Sequence, residues 1–389
     1  MKEGQFTIGI VAGEASGDLL GAHLIAALRT HLPDVRFMGI GGPKMQAQGL
    51  TSLFPMERLA VRGYAEVLRH YPGLVWMRRK LRLALLEAQP RLFIGVDAPD
   101  FNLGLEAGLK RAGIPIVHYV SPSIWAWRGG RIGGIARSVD HVLTLFPFEP
   151  EIYRKSGVNA TYVGHPLADL IPEDDQTAAT RERLKIAPER KVFALLPGSR
   201  QSELRYMADT FIATAKLLAQ KIERPLFLVP LVSRETREIF EAAMYRADAG
   251  ELPLTVLFGH ARDALAAADV ALIASGTATL EAALLKKPMV ITYKMAGSSW
   301  LLMRRMGYQP YIGLPNILSG EFVVPELLQN DATAENLAQA LLNALNDSVV
   351  RERLPRRFAA LHRELKCNTA EQAAKAVLPL LGPASTPAA

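Results

Sequence analysis

Short apolar runs alternate with longer segments of helical periodicity along most of this chain. In the first half the runs cover residues 7–12, 36–40, 92–96, 114–120 and 141–145, with 162–163 closing the series. In the second half they recur at residues 191–196, 226–229, 254–257, 270–274 and 289–293. Uninterrupted apolar strands separated by helices are typical of parallel sheets covered on both faces. The pattern predicts an α/β fold with two doubly wound parallel sheets.

A polar, acidic break after the first series of strands divides the chain. We predict a Rossmann-like domain over residues 1–170, a linker over 171–190 and a second Rossmann-like domain over 191–330. Residues 331–389 are predicted to form C-terminal helices and a flexible tail, because apolar positions recur there at helical spacing. Two such domains facing each other leave a cleft at the carboxyl ends of their strands, the usual ligand site of these sheets.

Two glycine-containing turns in the second domain are the main candidates for a ligand site. The first turn contains Gly198, Ser199 and Arg200, and the second contains Ser275, Gly276 and Thr277. Where such a turn opens a helix, unpaired backbone N–H groups and the helix dipole attract an anion. Arg200 adds a guanidinium for phosphate oxygens, and Glu281 can accept hydrogen bonds from a sugar's hydroxyls. Together they indicate a nucleoside diphosphate site; either turn alone is equally consistent with a tight βα turn.

The loop after the first strand carries candidates for the first domain. Gly13 allows a close approach of the backbone to a ligand. Either Ser16 or Asp18 is expected to cap a helix that begins near Leu19, because every helix start needs a cap. Glu14 has no such structural role, and we therefore interpret it as a functional residue.

Two further loops follow predicted strands of the first domain. Asp97 ends a strand of Ile and Val, so partial burial is expected to raise its pKa toward that of a general base. Asp100 fits a turn or helix cap better and is the second choice for this role. Trp125 and Trp127 follow the next strand and could stack on a sugar or line an acyl-chain channel, with a packed corner as the equal alternative.

The chain carries 45 lysine and arginine residues against 38 aspartate and glutamate residues, a net charge of +7. This excess favours an acidic partner such as a phosphorylated substrate or an anionic lipid. Basic residues are interleaved with Trp, Met and Leu at residues 68–83 and again at 300–306. Such segments are typical of amphipathic helices at a membrane interface, with core helices that expose a basic face as the alternative. No RNA-binding consensus supports nucleic acid as the partner.

Several classes of protein are excluded by what the sequence lacks. A single cysteine, Cys367, permits no intrachain disulfide and favours a reducing compartment. We find no signal-peptide pattern and no uncharged stretch of the ~20 apolar residues that span a bilayer, so a soluble, cytoplasmic protein is expected. Neither a P-loop, a nucleophile elbow nor a zinc-protease motif is present.

Five segments along the chain are distinctive enough to suggest a family. They read VAGEASGD at 11–18, DAPDFN at 97–102, YVSPSIWAW at 119–127, LPGSR at 196–200 and LPN at 314–316. In sequence and in order they resemble segments of the lipid A disaccharide synthase family of GT-B glycosyltransferases. The resemblance implies two Rossmann-like domains facing a cleft, with the sugar nucleotide mainly on the second. It also implies condensation of UDP-2,3-diacylglucosamine with 2,3-diacylglucosamine 1-phosphate (lipid X) in lipid A biosynthesis. The products would be a β-1,6-linked tetraacyl disaccharide 1-phosphate, formed with inversion, and UDP.

The resemblance further implies no required metal. We also expect no cofactor, no nucleic acid partner, and peripheral association with the inner face of the cytoplasmic membrane. The sequence does not determine the preferred acyl-chain length or the oligomeric state; a homodimer is one option. Asp97, Arg200 and Glu14 are predicted to be catalytic. The residues predicted to bind substrate are Gly13, Ser16, Asp18, Asp100, Asn102, Ser121, Trp125, Trp127, Gly198, Ser199, Ser275, Gly276, Thr277, Glu281 and Asn316. Two rival hypotheses are a sugar-nucleotide epimerase of the same fold and a peripheral lipid- or nucleic-acid-binding protein without catalysis.

Overall fold

The structure is a computed structural model that describes residues 6–59, 64–125, 129–297, 300–301, 303 and 310–382. The chain forms two compact units. The first takes the chain up to Asp169 and again from Leu365 onward, and the second takes Leu170–Glu364. Each unit is built on one parallel sheet whose strands are joined by helical crossovers, as the alternating apolar pattern predicts.

In the first unit, short helices and strands alternate almost without interruption. Its strands are β1 Thr7–Ala12, β2 Arg36–Ile40, β3 Leu50–Ser52, β4 Leu92–Val96, β5 Ile116–Tyr119, β6 His141–Thr144 and β7 Asn159–Tyr162. Its helices before the crossing into the second unit are α1 Ala15–His31, α2 Pro43–Ala47, α3 Tyr64–Ala88, α4 Pro99–Lys110, α5 Ile132–Ser138, α6 Glu149–Arg154 and α7 Pro166–Leu170.

The second unit repeats this plan. Its strands are β8 Lys191–Leu196, β9 Pro225–Leu231, β10 Leu254–Phe258, β11 Val270–Ala274, β12 Met289–Tyr293 and β13 Glu326–Leu328. Its helices are α8 Thr177–Arg183, α9 Gln201–Lys221, α10 Arg234–Arg246, α11 Ala261–Ala267, α12 Thr277–Leu284, α13 Leu314–Ser319, α14 Ala334–Asn346 and α15 Ser348–Leu365. A last helix, α16 Thr369–Val377, belongs to the first unit.

The strand orders are β3-β2-β1-β4-β5-β6-β7 in the first unit and β10-β9-β8-β11-β12-β13 in the second. Every pairing in both sheets is parallel, so the predicted fold class of two doubly wound parallel sheets with a helical C-terminus is confirmed. The apolar pattern missed β3 and β13, because strands of three residues carry almost no periodicity. The interior strands β1, β4, β8 and β11 are almost completely buried.

The C-terminal helices divide between the two units. Helix α14 buries Leu337 and Leu341 in the core of the second unit. Helix α16 buries Ala373, Ala374 and Val377 in the core of the first unit, where it packs on α1. These small apolar side chains allow a close helix–helix approach. The chain therefore returns to its first unit after completing its second.

The stretch predicted as a linker, residues 171–190, contains folded structure. Helix α8 is tied to the second unit through Arg181, whose guanidinium contacts the Asp269 carboxylate at 2.9 Å and donates to the Ala267 carbonyl. The acidic residues that suggested a linker, 173–175, precede this helix, whereas residues 177–183 of the predicted linker belong to the folded second unit. None of the described helices combines the length and the apolar character that a membrane-spanning helix needs.

Candidate functional site

Four of the predicted site loops follow the strands at which each sheet reverses its order. In the first unit β1 lies beside β4, and the loops after them contain Gly13 and Asp97. In the second unit β8 lies beside β11, and the loops after them contain Gly198 and Gly276. Crossovers leave in opposite directions at such a point, which opens a crevice at the carboxyl ends of the strands. Each unit therefore has one favoured ligand position, and the candidate residues lie at both.

A cavity of about 350 Å³ occupies this position in the second unit. Its lining includes the seven residues predicted at the two turns and at the helix after the second of them: Gly198, Ser199, Arg200, Ser275, Gly276, Thr277 and Glu281. Apolar side chains from the end of β9, among them Pro230 and Val232, complete the wall. A cavity lined by polar residues of the two turns and by apolar residues at the end of β9 suits a ligand that joins charged groups to a flat ring.

The turn after β8 is already occupied by a carboxylate of its own. Glu203 lies in the first turn of α9, and its Oε2 accepts hydrogen bonds from the backbone N–H groups of Ser199 (2.9 Å) and Arg200 (3.1 Å). The expectation that both amides are unpaired is therefore wrong. Gly198 makes this closure possible, because its φ is +123° and an added Cβ would lie 2.6 Å from the Glu203 Cβ. The anion-binding capacity of this turn rests instead on the Arg200 guanidinium, which is 69% exposed and lies 3.4 Å from the Glu203 Oε1.

The turn after β11 keeps its helix start available for a ligand. Gly276 has a φ of +148°, and α12 begins directly after it. The amides of a helix's first turn have no partner within the helix, and Thr277 and Ala278 of this turn line the cavity. Burial raises the pKa of the Glu281 carboxyl, and the nearby Arg262 partly offsets this. The two turns are thus unequal: one offers a cation, and the other offers backbone donors and a carboxylate.

In the first unit, the backbone around Asp97 is held in a strained conformation. Asp97 and Ala98 have φ values of +52° and +44°, and Val120 at the end of the neighbouring strand has a φ of +79°. Left-handed conformations cost roughly 1–2 kcal/mol per non-glycine residue and cluster at functional sites. Buried Asn102 clamps this turn, because its Nδ2 donates to the carbonyl oxygens of Asp97 (2.8 Å) and Val11 (3.3 Å). Asn102 therefore shapes the loop that presents Asp97.

The Asp97 carboxyl lies in the electrostatic setting that the sequence predicts for a general base. Burial is the main cause that raises its pKa. The negative charge of Glu14, in the neighbouring loop after β1, raises it further, whereas the Ala98 backbone and the His118 side chain lower it. A carboxylate with a raised pKa accepts a proton more readily near neutral pH. The structure thus places Asp97 and Glu14 close enough to affect each other.

The loop after β1 differs from its predicted capping. Helix α1 begins at Ala15 rather than near Leu19, and neither Ser16 nor Asp18 caps it. Asp18 instead accepts hydrogen bonds from the Lys44 and Met45 amides and so caps α2. Ser16 is exposed in the first turn of α1. Gly13 is required at its position, because an added Cβ would lie 2.9 Å from the Ala98 Cβ beside Asp97.

The remaining candidates of the first unit take up distinct positions. Asp100 is exposed in the first turn of α4 and pairs with Arg131 at 2.7 Å. Ser121 is buried, with its hydroxyl 2.8 Å from the Tyr153 hydroxyl. Trp125 forms a packed corner, because its Nε1 donates to buried Glu149 at 3.0 Å and its ring packs edge-on against Phe148. Trp127 lies outside the described residues.

Asn316, in α13, acts as a latch within the second unit. Its Nδ2 donates to the Val324 carbonyl (2.9 Å) and to Glu326 (2.8 Å), while its Oδ1 accepts from the Val323 and Val324 amides. These four bonds use the full capacity of a carboxamide. A direct hydrogen bond from Asn316 to a substrate would therefore require one of them to break.

Sequence reasoning missed three residues of these sites. Glu203 was detectable, because a glutamate three residues after a helix N-cap is the signature of a capping box. Buried Glu106 and His118, which lie beneath the Asp97 loop, have no local signal, since they come from different elements. Among the described residues, no cluster of three or more His, Cys, Asp and Glu side chains could hold a metal ion.

Comparison with known proteins identifies relatives along nearly the whole chain. The family model of lipid-A-disaccharide synthetases matches residues 8–377. The chain is 60% identical to the lipid-A-disaccharide synthase of Azoarcus sp. (strain BH72) over 374 residues, with 96% of each chain covered. It is 58% identical to the lipid-A-disaccharide synthase of Dechloromonas aromatica (strain RCB) over 375 residues, covering 96% of this chain and 98% of the relative.

Among solved structures, the UDP-GlcNAc 2-epimerase from Neisseria meningitidis bound to UDP-GlcNAc matches with a TM-score of 0.60. The match covers 97% of this chain and 99% of the epimerase. Because the identity is 11%, this likeness concerns the fold alone. The fold is the GT-B type that glycosyltransferases and sugar-nucleotide epimerases share.

Proposed function

We infer the reaction of this chain from one premise: it belongs to the lipid-A-disaccharide synthetase family, whose activity is that of a glycosyltransferase. The donor is UDP-2,3-diacylglucosamine, and the acceptor is 2,3-diacylglucosamine 1-phosphate, lipid X. The acceptor's 6-hydroxyl oxygen bonds to the donor's anomeric carbon while the bond from that carbon to UDP breaks. The products are the β-1,6-linked tetraacyl disaccharide 1-phosphate, with inverted configuration, and UDP.

The cavity of the second unit is the observation that carries this proposal. It brings a guanidinium, helix-start amides and a carboxylate together within about 350 Å³. In our proposal Arg200 and the α12 amides bind the diphosphate and stabilise the charge that develops on departing UDP. Glu281 accepts hydrogen bonds from the ribose hydroxyls, and the apolar wall at Val232 contacts the uracil ring.

Asp97 is proposed to take the proton of the acceptor hydroxyl. Its carboxyl is mostly buried, and its loop is held in place by Asn102 and by the Asp97 N–H bond to the Tyr119 carbonyl at 2.8 Å. A fixed base of raised pKa makes the hydroxyl oxygen a better nucleophile as the new bond forms. Glu14 adds negative charge that keeps the Asp97 pKa high.

The reaction is tested by mixing purified protein with UDP-2,3-diacylglucosamine, with and without lipid X. We expect UDP release only when both are present, with one disaccharide formed for each UDP released. UDP release without lipid X would contradict the proposal in favour of an epimerase or a hydrolase. Binding without turnover would contradict it in favour of a binding protein.

We propose that the exposed stripe of α3 docks on an anionic membrane surface. This stripe, defined as Val75, Trp76, Arg79, Lys80 and Leu83, combines bases with a Trp and a Leu that are 52% and 51% exposed. Two other residues of the segment do not belong to it. Met77, expected at the interface, is buried in the core instead, and the partly buried Arg78 lies against Gly104 of α4.

Reversing both charges in the variant Arg79→Glu/Lys80→Glu is expected to weaken binding to anionic vesicles. Each basic residue near such a surface contributes about 1 kcal/mol, so the partition coefficient falls about thirtyfold or more. Vesicle co-sedimentation measures this, and 1 M salt releases the parent protein because the Debye length falls to about 3 Å. Turnover of short-chain, water-soluble substrates stays normal.

The matched control for this prediction is Arg234→Glu/Arg237→Glu. It makes the same change in net charge on exposed positions of α10, in the second unit. We expect it to bind vesicles better than the α3 variant does. Equal binding by the parent and the α3 variant would contradict the docking role of the stripe and transfer it to residues 300–306, where Leu301 is exposed.

A further inference from the structure

A fully buried acid–histidine pair lies beneath the Asp97 loop. Glu106 of α4 and His118 of β5 are both 0% exposed, and the Glu106 Oε1 lies 2.7 Å from the His118 Nδ1. His118 is paired in register with Gly95 on β4, two residues before Asp97. The pair therefore lies between α4 and the sheet of the first unit, near the end of β4 that leads to Asp97.

The strand is built to admit this carboxylate. An added Cβ on Gly95 would lie 2.0 Å from the Glu106 Oε1, so a glycine is needed at this position in the middle of a buried strand. Glycine weakens a strand interior, and it is used where a group must approach the backbone closely. The absence of a side chain at Gly95 thus makes room for the Glu106 carboxylate, although a glycine weakens the strand.

The pair is not explained by stability. Among the described residues, the Glu106 Oε2 and the His118 Nε2 are buried without a hydrogen-bond partner. Buried ion pairs often contribute less to stability than apolar side chains of the same volume, and unpaired buried polar atoms are costly. Two other buried positions of α4, Leu105 and Leu109, are apolar. A Leu or Met would fill the same space at lower cost.

The electrostatic neighbourhood connects the pair to Asp97. The Glu106 carboxylate raises the pKa of the His118 imidazole against the opposing effect of burial, so it favours the imidazolium. That positive charge lowers the pKa of Asp97, whereas burial and Glu14, from the loop after β1, raise it. His118 therefore counteracts the rise in the Asp97 pKa that burial and Glu14 cause.

We propose that Glu106 and His118 are positioning residues that keep Asp97 ionised at neutral pH. Glu106 holds His118 in its cationic form, and His118 provides the positive charge that Asp97 needs when it is buried beside Glu14. This inference rests on the proposed function, because it takes Asp97 as the base of the transfer. Neither residue touches the substrate; both act through Asp97.

The test is the pH profile of turnover in Glu106→Gln, which is close to isosteric. Without the carboxylate, the lowering effect of burial on the pKa of the His118 imidazole is no longer offset by Glu106, so less positive charge remains near Asp97 and the pKa of Asp97 rises. We expect the acidic limb of the kcat profile to move up by about one pH unit, the lower end of what a nearby opposite charge gives. At a fixed pH on the acidic limb, kcat of the variant should be about tenfold lower than kcat of the parent. At higher pH the two values should be equal, and the KM for the UDP-sugar should be unchanged.

Three further variants separate positioning from general damage. His118→Gln and the double variant Glu106→Gln/His118→Gln should show the same shift as Glu106→Gln, because the pair acts as a unit. The double variant also leaves no unpaired charge in the core, so it serves if Glu106→Gln fails to fold. His141→Gln is the matched control: it replaces a half-buried histidine at the amino end of the same sheet, where the imidazole bonds to Thr161. Its profile should match that of the parent.

Two results would overturn the inference, and a third would overturn the assignment of Asp97 as the base. A profile in Glu106→Gln and His118→Gln that matches the parent means that the pair does not act on Asp97. A uniform loss of kcat at all pH values, with a lowered unfolding midpoint, assigns the pair a purely structural role. If Asp97→Asn retains full turnover, the assignment of Asp97 as base fails first. In an Asp97→Asn background that has lost turnover, Glu106→Gln should cause no further loss.

Discussion

Asp97→Asn is expected to reduce kcat by about 10²–10⁴, because the amide cannot accept the proton of the acceptor hydroxyl. The replacement is nearly isosteric, so the strained turn at Asp97 and Ala98 and its clamp by Asn102 should persist. The affinity for UDP should stay close to that of the parent, because the residues proposed to bind UDP belong to the second unit. Steady-state kinetics and calorimetric titration with UDP measure the two effects separately.

The controls for Asp97→Asn use carboxylates of the same unit. Asp34→Asn changes an exposed carboxylate in the turn before β2 and should have no effect on turnover. Asp100→Asn and Glu14→Gln address the alternatives for the base. Full turnover in Asp97→Asn, together with a large loss in one of these two variants, would move the role of base to that residue.

Arg200→Ala is expected to weaken UDP binding about 10- to 100-fold. The variant removes a charge-assisted contact with phosphate, which contributes about 1.5–3 kcal/mol. The variant also removes the 3.4 Å contact between the guanidinium and the Glu203 Oε1. The loop itself should keep its shape, because the Glu203 Oε2 still accepts hydrogen bonds from the backbone amides of residues 199 and 200. Since the same contact stabilises departing UDP, kcat should fall as well.

Arg205→Ala provides the matched control on the same helix. Arg205 is exposed in α9 and donates to the Gln201 side chain, and it does not line the cavity. Arg200→Lys should recover only part of the affinity, because a lysine keeps the charge but loses the two-pronged geometry of a guanidinium. Parent-like UDP affinity in Arg200→Ala would show that the guanidinium points away from the nucleotide.

Most strands, and the turns that follow them, could be predicted from local sequence patterns. Buried parallel strands such as β4 and β11 are continuous apolar runs, and glycines mark the turns that follow β1, β8 and β11. Local signals of this kind depend on neighbours in sequence, so they identify strand ends, the loops that carry Asp97 and Arg200, and the helix start that precedes Glu281. They fail for β3 and β13, because three residues are too few to show a period.

The capping prediction failed for a tertiary reason. Asp18 has the residue type and position of a helix cap, but its carboxylate caps α2 rather than its own helix. Trp125 was equally consistent with a ligand contact and a packed corner, and its bond to Glu149 decides for the corner. In both cases the side chain's partner is far along the chain.

The sequence by itself determined the class of fold, all strands except β3 and β13, and the loops that follow β1, β4, β8 and β11. Only the tertiary structure decided that α16 returns to the first unit, that Glu203 closes the turn after β8, and that Glu106 and His118 lie beneath Asp97. The physical reason is the range of the interactions. Periodicity and turn chemistry act over a few residues, whereas burial and charge pairing depend on which distant segments meet.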